Sequence, residues 1–336
     1  MPGCCGCGCL GSNKNSEKDP DLIQGRRALH YVFKIDDRQA SLTFFKTVLG
    51  MEILRHDEFD QSCELPLPPG HSDDAELGPS NWSRTLVGYG PEDTNFVLDL
   101  IYKYGNKTSN SKSEVLSIEI MKNDIKPVLA AGGIMAEVIR DGVKGLTACV
   151  IEFDGYVFKV FECEGDDRIG RVVLAVNDVA KAEKFWMHTL GMSKVNESLF
   201  YEMRQCKIQF KAMPKWNADQ VVGRIVFAAP EEQLPVIEEK VLKAKGTLLA
   251  EFANAKARAS ISVPKLALLA EMVNVKIPLT SLRMSNGCLV QVVMLKDLDG
   301  HEICFFGDQG YRLYSKPDPD AEQRLIEAIE EERKQA

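Results

Sequence analysis

The clearest alternation of hydrophobic and polar positions lies in residues 29–51, LHYVFKIDDRQASLTFFKTVLGM. Its first half alternates Tyr31, Phe33 and Ile35 with other residues, which predicts a short strand. In its second half hydrophobic residues return at helical spacing, which predicts an amphipathic helix. These residues are Leu42, Phe45, Val48 and Leu49. Gly50 is the expected end of this helix, because glycine adopts the left-handed conformation after a helix without a steric cost.

The same pattern occurs a second time from Arg171, as RVVLAVNDVAKAEKFWMHTLGM. One constant shift aligns Asp37 with Asp178 and Gly50 with Gly191. The shift also pairs the hydrophobic helix positions and the methionine that follows: Phe44 with Phe185, Phe45 with Trp186, Leu49 with Leu190 and Met51 with Met192. A strand, an acidic turn, a helix and a Gly-Met ending in one register indicate an internal duplication.

Each long repeat also ends in a similar way, with an Asp-Gly turn that leads into a strand. These segments are DGYVFKVFE at Asp154 and DGHEICFFG at Asp299, and both are typical of tight turns between strands. The order strand, helix and three strands is predicted four times. The four modules are 29–104, 115–162, 171–212 and 224–306.

The modules predict an α+β protein with two domains of ordinary size. The predicted segments are a disordered Cys- and Gly-rich tail at 1–25, a first domain at 26–164, a second domain at 168–310 and a charged C-terminal helix at 311–336. The second domain contains an insertion at about 253–278. The sequence leaves open whether this insertion is a loop of helical character or a splicing or gene-model insertion.

The composition argues against a nucleic-acid partner and a membrane span. The net charge is −8 and the isoelectric point is about 5.4, which argues against a nucleic-acid surface, because phosphate neutralisation needs clustered Lys and Arg. Hydrophobic residues make up 45% of 336 positions, enough for two cores. The most hydrophobic stretch, 261–279, is interrupted by charged residues, so we expect no membrane span.

Ten cysteines are present, and four of them lie within the first ten residues. The scatter of the others in an acidic chain indicates reduced thiols, and we expect a cytoplasmic or mitochondrial location. Besides disorder, the tail is compatible with palmitoylation or soft-metal binding, whereas Pro2 excludes N-myristoylation. The chain has no GxxxxGK loop, no GxSxG turn and no paired CxxC, so nucleotide hydrolysis, serine acyl transfer and structural zinc lack support.

The four modules, together with the motifs LxHxxFxxDD, FF…LGM and DGHEI, resemble the vicinal oxygen chelate superfamily, which includes glyoxalase I and the extradiol dioxygenases. The resemblance covers roughly residues 26–315. It implies that two modules pair edge to edge into a curved eight-stranded sheet around a cleft. It also implies divalent-metal ligands on the first and last strand of each paired module, and a carboxylate that moves a proton on a thiohemiacetal.

Carried over to this sequence, the first cleft receives four of these positions: His30, Asp99, Ser117 and Lys159. His30 and Asp99 are competent metal ligands, whereas an ammonium group cannot bind a cation. The second cleft receives Arg171, Gln209, Arg224 and Cys304. Two guanidinium groups are unsuited to a divalent cation and suit a carboxylate or phosphate, or pair with nearby acids.

Two interpretations of the first cleft stay open. Strand alternation places Glu119 on the same face as Ser117, so Glu119 can replace the missing carboxylate and act as the catalytic carboxylate, completing a facial triad with His30 and Asp99. The preferred interpretation is an ion pair between Asp99 and Lys159 in a degenerate metal site. Trp186, Phe44 and Phe45 are expected in the core, His301 in ordering its turn and Cys304 as a packed thiol.

The sequence therefore predicts a glyoxalase-like protein that binds a small carbonyl or thiol metabolite, with Lys159, Arg171, Gln209 and Arg224 as ligand-binding residues. No cofactor is expected, and Zn²⁺, Ni²⁺ or Mn²⁺ is the alternative. Two other functions stay open. One is a metal-dependent lactoylglutathione lyase in which His30 and Asp99 hold the ion, and the other is an interaction scaffold with a protein partner.

Overall fold

The computed structural model describes residues 24–59, 81–105, 114–213, 216–217, 221, 223–244, 247–248, 280–284 and 288–335. The predicted insertion at about 253–278 and all but the last two residues of the predicted tail at 1–25 lie outside these ranges. No helix in the described ranges is long and hydrophobic enough to cross a membrane.

Strands make up most of the described chain. They are β1 (Arg27–Ile35), β2 (Glu52–Phe59), β3 (Trp82–Gly88), β4 (Val97–Lys103), β5 (Val115–Lys122), β6 (Ile134–Arg140), β7 (Val143–Phe153), β8 (Tyr156–Glu162), β9 (Arg168–Val176), β10 (Ser193–Val195), β11 (Ser198–Phe200), β12 (Lys207–Ala212), β13 (Arg224–Ala229), β14 (Thr247–Leu248), β15 (Thr280–Arg283), β16 (Leu289–Lys296) and β17 (Glu302–Gly307).

Helices follow the first strand of every module and the last strand of the chain. They are α1 (Arg38–Leu42), which continues as a π-helix (Thr43–Val48), α2 (Lys126–Ala130), α3 (Val179–His188), a 3₁₀ turn (Glu231–Gln233) continued by α4 (Leu234–Lys243), α5 (Asp308–Tyr314) and α6 (Ala321–Gln335). The predicted order of strand, helix and strands is present in all four modules.

The repeated acidic turn and the repeated glycine have a common structural explanation. Asp37 and Asp178 are N-caps, and each side chain accepts a hydrogen bond from the backbone N–H three residues further on, at 2.8 and 3.1 Å. Gly50 and Gly191 follow the helices with φ of +71° and +79°, a conformation that other residues adopt only with strain. The duplicated sequence therefore encodes the start and the end of one helix in both halves.

Two mixed sheets contain the strands. Sheet A has the order β14-β16-β17-β13-β1-β4-β3-β2, with β15 also paired to β16. Sheet B has the order β10-β11-β12-β9-β5-β8-β7-β6. The α+β class with two mixed sheets is confirmed. Module 1 shares sheet A with module 4, however, and module 2 shares sheet B with module 3.

The module pairing that the resemblance implied is thus wrong, since residues 26–164 do not form one sheet and residues 168–310 another. Connection lengths explain the observed pairing. Only residues 163–167 join β8 to β9, whereas the longer segments 104–114 and 213–223 join β4 to β5 and β12 to β13. Because short connections keep neighbouring strands in one sheet, modules 2 and 3 stay together. The two longer segments carry the chain between the sheets.

One hydrophobic core lies between the two sheets and includes the helices that follow β1 and β9. The three aromatic residues predicted for the core, Phe44, Phe45 and Trp186, are all buried. Phe44 stacks on Phe153 of sheet B with ring centroids 4.3 Å apart. The face of each sheet that points away from this core is called its outer face below.

The two Asp-Gly turns connect one sheet to the other. Asp154, in the turn before β8 of sheet B, accepts a hydrogen bond at 2.9 Å from the backbone N–H of Asp36, which follows β1 of sheet A. Asp299, in the turn before β17 of sheet A, accepts one at 2.8 Å from the backbone N–H of Asn177, which follows β9 of sheet B. The second repeated motif therefore provides a pair of equivalent ties between the sheets.

His301 adds a third tie, and its predicted role in ordering the turn is confirmed. Its backbone N–H donates to Asp297 Oδ1, and its ring Nδ1 lies 2.9 Å from Asp297 Oδ2. Nε2 lies 2.9 Å from the carbonyl oxygen of Ala175 in sheet B. Both ring nitrogens face acceptors, so the imidazole is protonated. Burial opposes this charge, but the carboxylate of Asp297 outweighs burial and raises the pKa of His301.

We predict that His301→Gln lowers the free energy of unfolding more at about pH 6 than at high pH. A raised pKa in the folded state contributes stability that is complete below the unfolded pKa of about 6.5 and is lost as the pH rises through the folded pKa. Below about pH 6.5, the His301→Gln variant should lose about 3–5 kcal/mol of its free energy of unfolding, because Asp297 is left buried without its cation. Urea unfolding of both proteins across this range measures the difference.

His188→Gln is the matched control, because His188 is exposed at the end of α3. Its stability should follow that of the wild type at every pH. A His301→Gln deficit that is independent of pH would contradict a protonated His301.

Candidate functional site

The outer face of sheet A carries a buried polar network around His30. His30 Nδ1 lies 2.5 Å from Glu92 Oε1, and the Tyr311 hydroxyl donates to Glu92 Oε2 at 3.0 Å. Burial would raise the pKa of Glu92, but the neighbouring His30 and the hydrogen bond from Tyr311 hold it below its usual range. Both His30 and Glu92 are 2% exposed. The imidazole is therefore held by the protein's own carboxylate.

Asp99, the second predicted metal ligand, is also bound by another side chain of the protein. Its carboxylate receives two hydrogen bonds from Arg84, from Nε at 3.3 Å and from the second guanidinium nitrogen. His30 Nε2 is 3.8 Å from Asp99 Oδ2. Arg84 also donates to the Tyr314 hydroxyl at 3.0 Å. The prediction that His30 and Asp99 lie beside each other is confirmed. The carboxylate of Asp99, however, is bound by the guanidinium group of Arg84, at the place where one interpretation of the sequence put a metal ion.

Module 4 contributes the other half of this face. Asp99 and Arg224 are the strand neighbours of Val32 on its two sides. Arg224 donates to Glu302 Oε2 at 2.8 Å, and both side chains are less than 10% exposed. Cys304 is 2% exposed, and burial raises the pKa of its thiol to about 12. The expectation of a packed thiol is confirmed.

Helix α5 covers this face from outside. Tyr311 and Tyr314 are 0% and 1% exposed and pack with the hydrophobic residues of the outer face. Tyr311 stacks on Phe306 with ring centroids 4.7 Å apart and an interplanar angle of 11°. The chain that follows β17 therefore fills the outer face of sheet A with its own aromatic side chains.

Two sequence interpretations are corrected by the pairing of modules. Asp99 lies in sheet A and Lys159 in sheet B, so the ion pair between them does not form. Glu119 also lies in sheet B, where Arg140 Nε donates to its Oε2 at 2.8 Å, so it cannot complete a triad with His30 and Asp99. The reason in both cases is that module 1 pairs with module 4.

The outer face of sheet B is organised around Arg171. This side chain is fully buried and donates to Gln209 Oε1 at 2.9 Å and to Asp141 Oδ2 at 2.5 Å. Its Nε lies 3.4 Å from Glu119 Oε2. Arg171 and Gln209 therefore share a site as predicted, but Arg224 lies in the other sheet. The expectation of one open cleft with both arginines is wrong.

Asp141 reaches Arg171 from the tip of the β6–β7 hairpin. The Asp-Gly sequence at 141–142 forms this turn, with φ of +52° at Asp141 and +76° at Gly142. Asp141 Oδ1 also accepts a hydrogen bond from Ser198 at 3.2 Å. Burial would raise the pKa of Asp141, but the hydrogen bond and charge of Arg171 hold it below its usual range. The hairpin tip thus places a carboxylate on the guanidinium.

Three donors on this face have no hydrogen-bond partner in the described part of the chain. Ser117 Oγ and Arg171 Nε are buried and make no hydrogen bond, although Arg171 Nε forms an ion pair with Glu119 Oε2 at 3.4 Å. Lys159 is half-buried, and among the described residues its ammonium group makes no ion pair or hydrogen bond. Strand register places Lys159 and Arg171 on either side of Glu119. The face is therefore rich in donors that lack acceptors.

Neither face fits a divalent metal ion. The family positions that the sheets bring together are His30, Asp99, Arg224 and Cys304 in sheet A, and Ser117, Lys159, Arg171 and Gln209 in sheet B. Each set contains at least one cation, which repels a metal ion at close range. Within the described ranges, no three His, Cys, Asp or Glu residues are grouped so as to hold a metal.

Sequence reasoning missed several charged or aromatic residues of these two faces, and Glu302 and Arg140 are two of them. Five others are more consequential for the site. They are Arg84, Glu92 and Asp141, with Tyr311 and Tyr314 of α5. The Asp-Gly turn at 141–142 could have indicated a hairpin tip. The contact between this tip and Arg171 depends on tertiary structure and has no local signal.

Comparison with known proteins agrees with this architecture. A family model described as "Glyoxalase domain-containing protein 4-like, C-terminal domain" matches residues 178–271 and 265–314. Glyoxalase 1 of Caenorhabditis elegans is 33% identical over 318 residues, which cover 91% of this chain and 97% of the relative. Glyoxalase domain-containing protein 4 of Mus musculus is 31% identical over 318 residues, with coverage of 91% and 93%.

The chain belongs to the glyoxalase domain-containing protein 4 family. The solved structure of glyoxalase I from Zea mays has the same fold, with a TM-score of 0.60 and 16% identity, and covers 86% of this chain and 95% of that one. The resemblance to the vicinal oxygen chelate superfamily is thereby confirmed. In this member of the glyoxalase domain-containing protein 4 family, both sheets carry cationic side chains at positions where the sequence resemblance implied metal ligands.

We predict that Arg84→Met lowers the free energy of unfolding by about 3–5 kcal/mol, because Asp99 is left buried without its partner. The double variant Arg84→Met with Asp99→Leu should recover most of this loss, since no uncompensated charge is then buried. Urea unfolding of the three proteins measures the coupling. A double variant as unstable as Arg84→Met would instead show that Asp99 has a role independent of Arg84.

Proposed function

We propose that this glyoxalase-family protein binds a small anionic carbonyl metabolite, or its thiol adduct, on the outer face of sheet B. In this proposal the metal sites are degenerate and no metal ion takes part. The single observation that carries the proposal is a group of donors that make no hydrogen bond among the described residues, namely Ser117 Oγ, Lys159 Nζ and Arg171 Nε, the last of which lies 3.4 Å from Glu119 Oε2. A carboxylate supplies acceptors for several such donors at once.

The energetics of buried donors support this proposal. A buried donor without a partner costs about 1–3 kcal/mol, and Ser117 Oγ is such a donor on this face. A bound ligand with oxygen acceptors would remove that cost. In sheet A, His30 lies against Glu92 and Arg84 donates to Asp99, while Arg27 Nη2 is buried without a hydrogen bond. Sheet B is therefore the better candidate.

The charge of this face selects for an anion. Lys207 is the strand neighbour of Arg171, and Lys211 is the strand neighbour of Ala175 on the same strand pair. Together with Lys159 they add positive charge to this face, on which Glu119 and Asp141 contact the guanidinium of Arg171. Burial and nearby cations lower the pKa of both Lys159 and Lys207. A negatively charged ligand would relieve this repulsion.

Asp141 has a specific place in this proposal. Its carboxylate on Arg171 is the chemical equivalent of the carboxylate of a ligand, presented by the tip of the β6–β7 hairpin. A ligand that binds Arg171 would displace Asp141 and move the hairpin tip. The hairpin would then control access to the guanidinium.

The two other functions have weaker support. A metal-dependent lactoylglutathione lyase would need an ion near His30 and Asp99, but Arg84 and Glu92 hold these side chains. An interaction scaffold agrees with the filled outer face of sheet A, and it leaves the unpaired donors of sheet B without a role.

The proposed compartment is the cytoplasm or the mitochondrion. All described cysteines are free thiols, namely Cys149, Cys163, Cys206, Cys288 and Cys304. Free thiols agree with a reducing environment.

We predict that Asp141→Asn strengthens binding of pyruvate and of lactate roughly tenfold, because about 1.4 kcal/mol of competing interaction is removed from Arg171. Isothermal titration calorimetry of the wild type and the variant measures this change. Gln209→Leu should weaken the binding of both compounds, since Arg171 loses the amide that positions it.

Glu137→Gln is the matched control for Asp141→Asn. It removes one negative charge from the same hairpin, but Glu137 is exposed and does not contact Arg171. Its affinity should equal that of the wild type. If neither compound binds the wild type or Asp141→Asn, the proposed function is wrong for this ligand class.

We also predict that the purified protein, freed of its tag and dialysed against Zn²⁺, Ni²⁺ or Mn²⁺, retains far less than one equivalent of metal. The physical reason is that each face carries a cation at its family ligand positions. Elemental mass spectrometry measures the metal content. One tightly bound equivalent that His30→Ala removes would instead favour the lyase.

A further inference from the structure

Module 1 has a helical cover beside its end strand β2. Leu325 and Ile329 of α6 are buried, and Leu325 lines a small cavity together with Leu42 of α1. The chain just before α6 also reaches the edge of β2, where the backbone N–H of Asp318 donates to the carbonyl oxygen of Leu54 at 2.8 Å. The C-terminal part of the chain therefore covers the β2 end of sheet A.

Charged residues hold α6 in this position. Arg38, which is 3% exposed, donates from Nη1 to Glu58 of β2 and from Nη2 to Glu332 of α6, both at 2.7 Å. The hydroxyl group of Tyr102 also donates to Glu332. The cover of module 1 thus combines a hydrophobic stripe with charged residues of the helix that pair with the protein beneath it.

Strand register aligns module 1 with module 2. Val32 pairs with Asp99 just as Glu119 pairs with Lys159. The same offset applied to the helices, together with the pairing of β2 with β3 and of β6 with β7, gives the equivalents of the residues under α6. The equivalent pairs are Leu42 and Leu129, His56 and Met135, and Glu58 and Glu137. The surface that α6 covers therefore has an identifiable counterpart in module 2.

This counterpart, formed by Leu129, Met135 and Glu137 and called the α2–β6 surface below, has no cover among the described residues. Met135 is 47% exposed, whereas the equivalent His56 is 2% exposed, and Leu129 is 39% exposed. Glu137 is exposed and makes no ion pair with a described residue. In the described chain β6 ends sheet B and pairs only with β7. Natural proteins normally protect such an end strand.

We propose that the α2–β6 surface binds an amphipathic helix of a partner protein, in the way that module 1 binds α6. Hydrophobic residues at helical spacing would cover Leu129 and Met135. The 15 residues of α6 span about 22 Å, and the seven residues of β6 span about 23 Å. A helix of about four turns therefore matches the length of this surface.

The charges of the α2–β6 surface define the partner further. Lys126 is exposed three residues before Leu129, on the same side of α2. An acidic residue of the bound helix would pair with Lys126, and a basic residue would pair with Glu137. The partner helix therefore carries charges of both signs beside its hydrophobic stripe, as α6 does.

Two other occupants fit this surface less well. The chain's own α6 is already bound to module 1, where its attachment gives it a high effective concentration. A second copy would pair β6 with β6 antiparallel around a two-fold axis. Glu137 is the central residue of β6, so a centred pairing would put the two Glu137 carboxylates opposite each other, which is destabilising. A helix avoids this repulsion.

The inference is independent of the proposed function. Met135 pairs with Cys149, whose side chain lies in the core between the sheets, whereas Lys159 pairs with Val150 on the other face. The α2–β6 surface therefore lies on the opposite side of sheet B from Arg171. Loss of helix binding and loss of metabolite binding can be measured separately.

Fluorescence anisotropy of a labelled peptide with the sequence of α6, residues 321–335, tests the proposal. The peptide has the required hydrophobic stripe and both charges. We expect it to bind the full-length protein with a Kd below about 100 µM. Met135→Glu and Leu129→Glu should each weaken binding roughly tenfold or more, because each variant puts a charge into the hydrophobic contact. Lys126→Glu should weaken binding at low salt and do so less at high salt.

Leu242→Glu is the matched control, because Leu242 is 57% exposed on α4, outside this surface. It should bind the peptide as the wild type does. A peptide in which Leu325 and Ile329 are replaced by serine should not bind. Circular dichroism verifies the folding of each variant, and Lys126→Glu stays informative if Met135→Glu does not fold.

Three results would overturn the proposal. One is no binding of the peptide by the wild type at about 1 mM peptide. Another is binding that Met135→Glu and Leu129→Glu leave unchanged, which would mean that the peptide exchanges with α6 on module 1. The third is a dimer in sedimentation velocity that Met135→Glu abolishes, which would assign the surface to a second copy.

Discussion

The pairing of β1 with β13 is the constraint on which the rest of the structure depends. It joins strands that lie almost two hundred positions apart and makes Arg224 the neighbour of Val32 in sheet A. Because β13 pairs with β17, which α5 follows, this pairing also brings Tyr311 and Tyr314 onto His30 and Arg84. The composition of both outer faces thus follows from which modules share a sheet.

The two outer faces compensate their buried guanidinium groups in different ways. In sheet A the buried guanidinium groups of Arg84 and Arg224 are each compensated by a carboxylate, Arg84 by Asp99 and Arg224 by Glu302. Buried charges need such partners, since an unpaired one costs several kcal/mol. Sheet B leaves donors unpaired and holds Arg171 with Asp141, which comes from a hairpin tip. A contact supplied by a hairpin tip can be exchanged for a ligand more easily than one between central strands.

The ties between the sheets give the duplicated Asp-Gly motifs the same structural role in both halves. Asp154 and Asp299 perform equivalent roles, each accepting a hydrogen bond from the residue that follows the first strand of another module. These contacts join the two sheets. The family fold therefore persists while the side chains at its ligand positions change, which is why fold alone does not decide function.

The sequence by itself determined the modules, since hydrophobic periodicity, the N-caps Asp37 and Asp178 and the glycines after the helices are local signals. It also identified His30 and Arg171 as residues of the outer faces through the family resemblance. Only the tertiary structure decided the partners of these residues. Arg84, Asp141 and α5 reach them through contacts between segments far apart in sequence, and no local pattern encodes which modules share a sheet. Linker length, short at 163–167 and longer at 104–114 and 213–223, is the physical cause of that choice.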